Sequence, residues 1–264
     1  MKRENSDKKK ADYDMTENEK KMSENDDSAR MRRDHSVIIG SKAEYSGYGP
    51  MSFVLPDSYN KLPHKKTTSD AKKLVAICAS TGGPKAIARI IPDLPQDLNA
   101  PVIMVQHMPQ GYTYSLAQRM NEKSPLNIKE AVDGDRLEKG SFYLAQGGKH
   151  LSVIKRKTGH YISIGDGPAR SGLKPCADIM YESLAETDYD EIICVVLTGM
   201  GSDGTRGIGY LCEKKNVYVI AQNKETSTVY GMPYAVNYAG IADQVLPLDK
   251  IAEAIVKAAG TKNS

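Results

Sequence analysis

The sequence predicts an α/β protein: a mainly parallel, doubly wound sheet with an inserted antiparallel hairpin and helices on both faces. Three observations carry this. Short apolar runs bounded by Gly, Pro or polar residues recur from Leu74 onward and read as buried strands. Helix-length stretches alternate with them. One further pair of runs, 150–156 and 160–164, is joined by Lys157-Thr158-Gly159 and reads as a hairpin.

The elements follow in order. Residues 74–79 form the first strand and 85–94 the first helix. A strand at 102–106 precedes a helix at 113–121 and a short strand at 127–130. The strand at 142–145 has no obvious helix after it, and the hairpin follows. A helix at 176–186 carries Ile179, Met180 and Leu184 on one side. The strand 192–197 leads through a Gly-rich turn to a helix at 204–215. Then come a strand at 217–221, a short helix at 234–239 and a last strand at 244–247. The final helix, 249–259, has Ile251, Ala254, Ile255 and Ala258 at helical spacing.

Two regions are expected: a mostly disordered polar leader and linker over 1–73, and a catalytic domain over 74–264. Residues 1–34 mix Lys and Arg with Asp and Glu and hold almost no large aliphatic side chains, too little to offset the entropy of ordering. Two apolar islands follow, Val37-Ile38-Ile39-Gly40 and Phe53-Val54-Leu55. They belong either to a flexible leader or to a segment that docks on the catalytic domain or on a partner. His35 and His64 lie in this leader without an assigned role.

Composition excludes several classes. A net charge of +3, with the tail's basic runs balanced by acids, gives no nucleic-acid partner. No run approaches the roughly 18 apolar residues of a membrane span, and no secretory signal follows Met1-Lys2-Arg3-Glu4, so a cytoplasmic protein without membrane insertion is expected. The four cysteines, Cys78, Cys176, Cys194 and Cys212, lack C-x-x-C spacing and are expected reduced. No His, Cys or carboxylate group has metal spacing, so neither metal nor cofactor is predicted. Asp133 and Asp135 flank Gly134 as turn residues, and His150 and His160 of the hairpin are assigned to the surface.

The chemistry lies at strand exits. The first strand runs into Ser80-Thr81-Gly82-Gly83-Pro84, the second into His107-Met108-Pro109, and the strand 192–197 into Thr198-Gly199-Met200-Gly201-Ser202-Asp203-Gly204. If these strands are parallel neighbours, Ser80, His107 and Asp203 share one carboxyl edge, where open α/β sheets bind ligands. Nucleophile, base and orienting carboxylate need that arrangement. Taken alone, Ser80 also reads as a helix N-cap, or its turn as a phosphate cradle. A P-loop is excluded because no Gly-Lys-Ser/Thr closes the turn, and no G-x-G-x-x-G is present.

Ala79-Ser80-Thr81-Gly82-Gly83-Pro84, Gln106-His107-Met108-Pro109 and Leu197-Thr198-Gly199-Met200-Gly201-Ser202-Asp203-Gly204 together resemble the signature motifs of the CheB protein-glutamate methylesterases. Asp166-Gly167-Pro168, Ala221-Gln222-Asn223 and Gly231-Met232-Pro233 add to the likeness, which runs from about Leu74 to Gly260. The resemblance implies Ser80 as nucleophile, His107 as general base and then acid, and Asp203 as the group that orients the imidazole. It implies an oxyanion hole at the Met200 N–H. Thr81, Met200, Gly201, Tyr230 and Met232 are the oxyanion and groove candidates, with ordinary packing the alternative for Tyr230 and Met232.

The implied substrates are methylated glutamates on the cytoplasmic helices of methyl-accepting chemotaxis receptors, giving glutamate and methanol, with glutamine deamidation in some members. The alternatives are a hydrolase of another ester or amide, and a non-catalytic interaction protein of this fold. Two positions depart from the family's pattern: Cys78 replaces a usual Gly, and Leu173-Lys174-Pro175-Cys176 replaces His-Arg-Pro-Ser. Typical members carry an N-terminal receiver domain, and residues 1–73 are too short and polar to be one. Constitutive activity, or control by a separate partner that binds the leader, is therefore expected.

Overall fold

In the computed structural model, residues 37–38, 54–55, 59, 61–68 and 70–262 are described. The polar stretch 1–34 lies outside them. Within the two apolar islands, β1 (Val37–Ile38) and β2 (Val54–Leu55) pair antiparallel.

The body is a seven-stranded sheet made of β3 (Lys73–Ala79), β4 (Val102–Gln106), β5 (Asn127–Glu130), β6 (Ser141–Leu144), β9 (Glu191–Val196), β10 (Val217–Gln222) and β11 (Gln244–Leu246). Its spatial order is β11-β10-β9-β3-β4-β6-β5, and every neighbouring pair is parallel. Between β6 and β9 in the chain lies a separate hairpin of β7 (His150–Arg156) and β8 (Gly159–Gly165).

Strand alternation divides the core. Leu74, Ala76 and Cys78 point to one face, and Val75, Ile77 and Ala79 to the other. On the first face pack the hairpin, α3 (Ala177–Ser183), α4 (Thr205–Cys212) and α5 (Met232–Tyr238). On the second pack α1 (Gly83–Ile90), α2 (Tyr112–Asn121) and α6 (Leu248–Ala259). All seven residues of β3 are buried, as a central strand covered on both faces requires. Each such aliphatic side chain contributes about 1.5–3 kcal/mol of transfer free energy.

Helix ends differ modestly from the sequence expectation. The helix predicted over 204–215 ends at Cys212, and those predicted over 85–94 and 176–186 finish as single 3₁₀ turns, Ile91–Asp93 and Leu184–Glu186. His150 and His160 are buried rather than on the surface: His160 shares the inward face of the hairpin with Leu151, Val153 and Ile162, and His150, on the other face, lies against the 167–168 segment. His150 Nε2 bonds Pro168 O at 3.0 Å, and His160 stacks on Tyr189 with ring centroids 4.2 Å apart. Asp133 and Asp135 do hold a turn, accepting from the backbone N–H of Ile164 and Val132.

The chain before β3 is tied to the amino ends of the strands. Leu62 N–H donates to Cys212 O, and Lys61 Nζ to Ile241 O at 2.8 Å. Glu191, the first residue of β9 and nearly fully buried, accepts from Thr67 Oγ1 and pairs with His64 Nε2 at 2.7 Å. His64 is thus a structural residue, a role its position in a polar leader does not suggest. The cleft here, about 470 Å³, is lined by His64, Lys73 and Glu191 and opens at the opposite edge of the sheet from the strand exits.

Candidate active site

Strand register builds the site. Ala79 pairs with Gln106, so β3 and β4 leave the sheet side by side and deliver Ser80 and His107 to adjacent positions. On the other flank of β3, Cys78 pairs with Val196, and Leu197 N–H donates to Cys78 O. The loop after β9 then rises against the serine turn: Ser80 N–H donates to Thr198 O at 3.0 Å. The three exits expected from sequence are neighbours at one carboxyl edge.

Ser80 does not cap α1. The N-cap is Gly82, with φ of 83° and no side-chain cap bond. A Cβ at Gly82 would lie 2.4 Å from Thr228 Oγ1, so both the turn's hand and its packing require glycine. The Ser80 carbonyl accepts from Gly83 N–H and from Gln106 Nε2, each at 2.9 Å. Gln106 Nε2 also reaches His107 O at 3.2 Å. One buried amide therefore fastens the serine turn to the histidine.

His107 Nε2 and Asp203 Oδ2 are 2.7 Å apart, with side chains 11% and 4% exposed. Asp203 is held from four sides. Its Oδ2 also accepts from Ala177 N–H at 2.6 Å, and its Oδ1 accepts from Asp178 N–H at 3.0 Å and from Cys176 Sγ at 3.1 Å. The amides belong to the first turn of α3, where unpaired N–H groups favour an anion. Burial pushes the Asp203 carboxyl up, but the His107 bond and these amides outweigh it, and it lies below the ordinary carboxylate value.

Next to it the balance reverses. Burial, and then the charge of Asp203, push Asp178 up to about 6, although Gly204 and Gly207 N–H both donate to its Oδ1. Cys176, Asp178 and Asp203 offer ligand atoms within 4.8 Å of one another. The carboxylate oxygens already accept the donors just named, the Cys176 thiol among them, so the cluster reads as an internal brace.

The remaining candidates separate. Thr81 and Met200 are exposed at the tips of their loops, and Gly201 is half-buried with φ of 86°. Tyr230 is half-buried and bridges Gly199 in parallel register. Met232 is fully buried beneath the loop, its sulfur where a Cβ on Gly199 would fall, so it supports the loop instead of lining an open groove. Thr198, buried, ties three segments: its N–H donates to Gln222 Oε1, its hydroxyl to Thr81 O at 2.9 Å, and it accepts from Val229 N–H.

Sequence reasoning missed Gln106, Thr198 and Asp178. Gln106 and Thr198 lie inside recognised motifs, where a buried polar residue at a strand end is itself a signal. Asp178 has no such marker. Cys78 fits because the glycine is on the other side of the contact: Gly204 lies against its sulfur. All four cysteines are free and buried, and none stands at a strand exit.

A serine and a carboxylate-held imidazole at adjacent exits of a doubly wound parallel sheet have the parts of an acyl-transfer site. The chain belongs to the CheB methylesterase family, whose model matches residues 75–255. A protein-glutamate methylesterase/protein-glutamine glutaminase of Geobacillus kaustophilus is 44% identical over 196 residues, covering 74% of this chain and 56% of that protein. One of Saccharophagus degradans with the same name, numbered 1, is 45% identical over 230 residues, covering 84% and 62%. The crystal structure of the Thermotoga maritima CheB methylesterase catalytic domain superposes with a TM-score of 0.68 at 39% identity, covering 71% of this chain and 98% of that one. The chain spans somewhat over half the length of these two curated relatives.

Proposed function

We propose that the chain is a serine hydrolase that removes methyl groups from glutamate methyl esters on chemoreceptors, in the cytoplasm, as part of chemotaxis adaptation. The observation that carries this is the His107–Asp203 pair, 2.7 Å apart, at the strand exit beside Ser80. With Nε2 engaged by Asp203, Nδ1 is the nitrogen left to serve Ser80. Ser80 Oγ attacks the ester carbonyl carbon as its proton passes to His107. The tetrahedral oxyanion is met by backbone N–H groups of the loops carrying Thr81 and Met200. Collapse expels the methoxy oxygen, which takes the proton from His107 and leaves as methanol. Water then attacks the glutamyl-serine ester, His107 takes its proton, and Ser80 leaves with that proton restored, giving glutamate.

The same steps on a side-chain amide release ammonia, the second activity in the relatives' names. No cofactor enters this scheme. A regulator bound through the leader stays part of the proposal, and no helix among the described residues is long and apolar enough to cross a membrane. The test is methanol release from a methylated receptor fragment by the purified chain and by Ser80→Ala. Turnover by the parent and a loss of several orders of magnitude in the variant are expected. Near-parent turnover by Ser80→Ala would remove the serine from its role.

A further inference from the structure

We infer that Tyr230, Tyr234 and Tyr238 form a track along which the substrate's helix lies, so that the enzyme recognises the helical form around the ester and not the ester alone. This rests on the esterase reading above. Tyr234 and Tyr238 stand one turn apart on one side of α5, and Tyr230 lies just before its first turn. Their rings follow one another at centroid distances of 5.9 and 5.7 Å. The opposite side of the helix is spent on the core, with Met232, Pro233, Ala235 and Val236 buried. Tyr238, at the far end, is 47% exposed.

The track begins at the site. Tyr230 bridges Gly199, and the N–H groups of Gly231 and Met232 both donate to Gly199 O. Gly199 opens the loop that carries Met200, 54% exposed, and ends in Asp203. A bound side chain reacting at Ser80 therefore has this row of rings leading away from it.

Ring spacing suits a helical occupant. Same-side residues on successive turns of a helix stand about 5.4 Å apart, whereas an extended peptide repeats its same-side residues at about 6.8 Å. Steps of 5.9 and 5.7 Å match the helix better over three rings. Tyrosine also suits a surface that must pack and yet release, with a rigid apolar face and a polar tip.

The test compares two substrates: a helical methylated receptor fragment, and the γ-methyl ester of N-acetyl-glutamate methylamide. For the double variant Tyr234→Ala/Tyr238→Ala, KM on the receptor fragment should rise about tenfold while kcat/KM on the small ester stays within about twofold of the parent. Tyr238→Phe should resemble the parent. An unchanged KM on the fragment would overturn the track, and so would an equal loss on both substrates, which would mean that the rings act through the site itself. Should the double variant not fold, Tyr238→Lys alone, at the exposed end, makes the same comparison. A parent that hydrolyses the small ester but releases no methanol from the fragment would instead refute the receptor reading, before any tyrosine is changed.

Discussion

Asp203→Asn replaces one oxygen by an NH₂ group with almost no change in volume, and the surroundings of Asp203 determine the outcome. Each carboxylate oxygen faces two donors: Oδ2 meets His107 Nε2 and Ala177 N–H, and Oδ1 meets Asp178 N–H and the Cys176 thiol. Whichever way the amide turns, its NH₂ points at a backbone N–H. A buried donor left without an acceptor costs about 1–3 kcal/mol, and in a domain of this size each kcal/mol lowers Tm by roughly 2–4 °C. If the NH₂ takes the Oδ2 place, His107 Nε2 must accept, Nδ1 carries the proton, and the imidazole cannot take one from Ser80. That wrong tautomer costs about 10⁴-fold in kcat. If it takes the Oδ1 place the tautomer survives, but the imidazolium loses its counter-charge. We expect kcat on a methylated receptor fragment to fall by about 10³–10⁴, with a drop of several degrees in the calorimetric melt. Activity within tenfold of the parent, or an unchanged Tm, would refute the reasoning.

Asp178→Asn should act in the opposite sense on stability. The amide oxygen still accepts from Gly204 and Gly207, while the charge beside Asp203 disappears. Folding raises this carboxyl to about 6, so the folded state holds the proton more tightly than the unfolded chain between about pH 4 and 6. Its contribution to stability is present below that window and lost as pH rises through it. Urea denaturation should show the variant more stable at pH 8 by up to about 3 kcal/mol, with the gap closing toward pH 4; a constant gap would contradict this. Cys176→Ser keeps a donor toward Asp203 and should stay within a few-fold of parent turnover. Burial, and then Asp203, push the Cys176 thiol up to about 12, so N-ethylmaleimide at pH 7.5 should leave the folded enzyme active, and rapid inactivation would count against this packing.

The strands were the legible part because a strand buried on both faces has to be apolar throughout: the runs at Leu74, Val102 and Ile192 could be little else. The same runs marked their own ends, which placed Ser80, His107 and Asp203 at exits before any pairing was known. Which strands were neighbours was not legible, since parallel partners lie far apart in sequence and pair through backbone groups common to every residue. The histidines of the hairpin were misassigned for a related reason. His150 and His160 lie on opposite faces of the hairpin, and alternation alone does not say that one meets Tyr189 and the other the 167–168 segment. The brace around Asp203 was hidden deeper, because it consists mostly of main-chain N–H groups, and these leave no trace in side-chain identity.

That brace has a consequence for how the protein would fail. Asp203 ends a loop containing Gly199 and Gly201 and is followed by Gly204, a stretch with little stiffness of its own. Its fixed position is borrowed from α3, and α3 is in turn joined to the hairpin, where Ser183 Oγ accepts from Val153 N–H at 3.0 Å. The hairpin stands outside the seven-stranded sheet. A transient detachment of hairpin and α3 would free the carboxylate and silence the chemistry while the sheet stayed intact. Warming should therefore abolish turnover before the amides of β3 and β9 lose their protection from hydrogen exchange, with activity reporting the outermost layer of the molecule and the sheet reporting the whole.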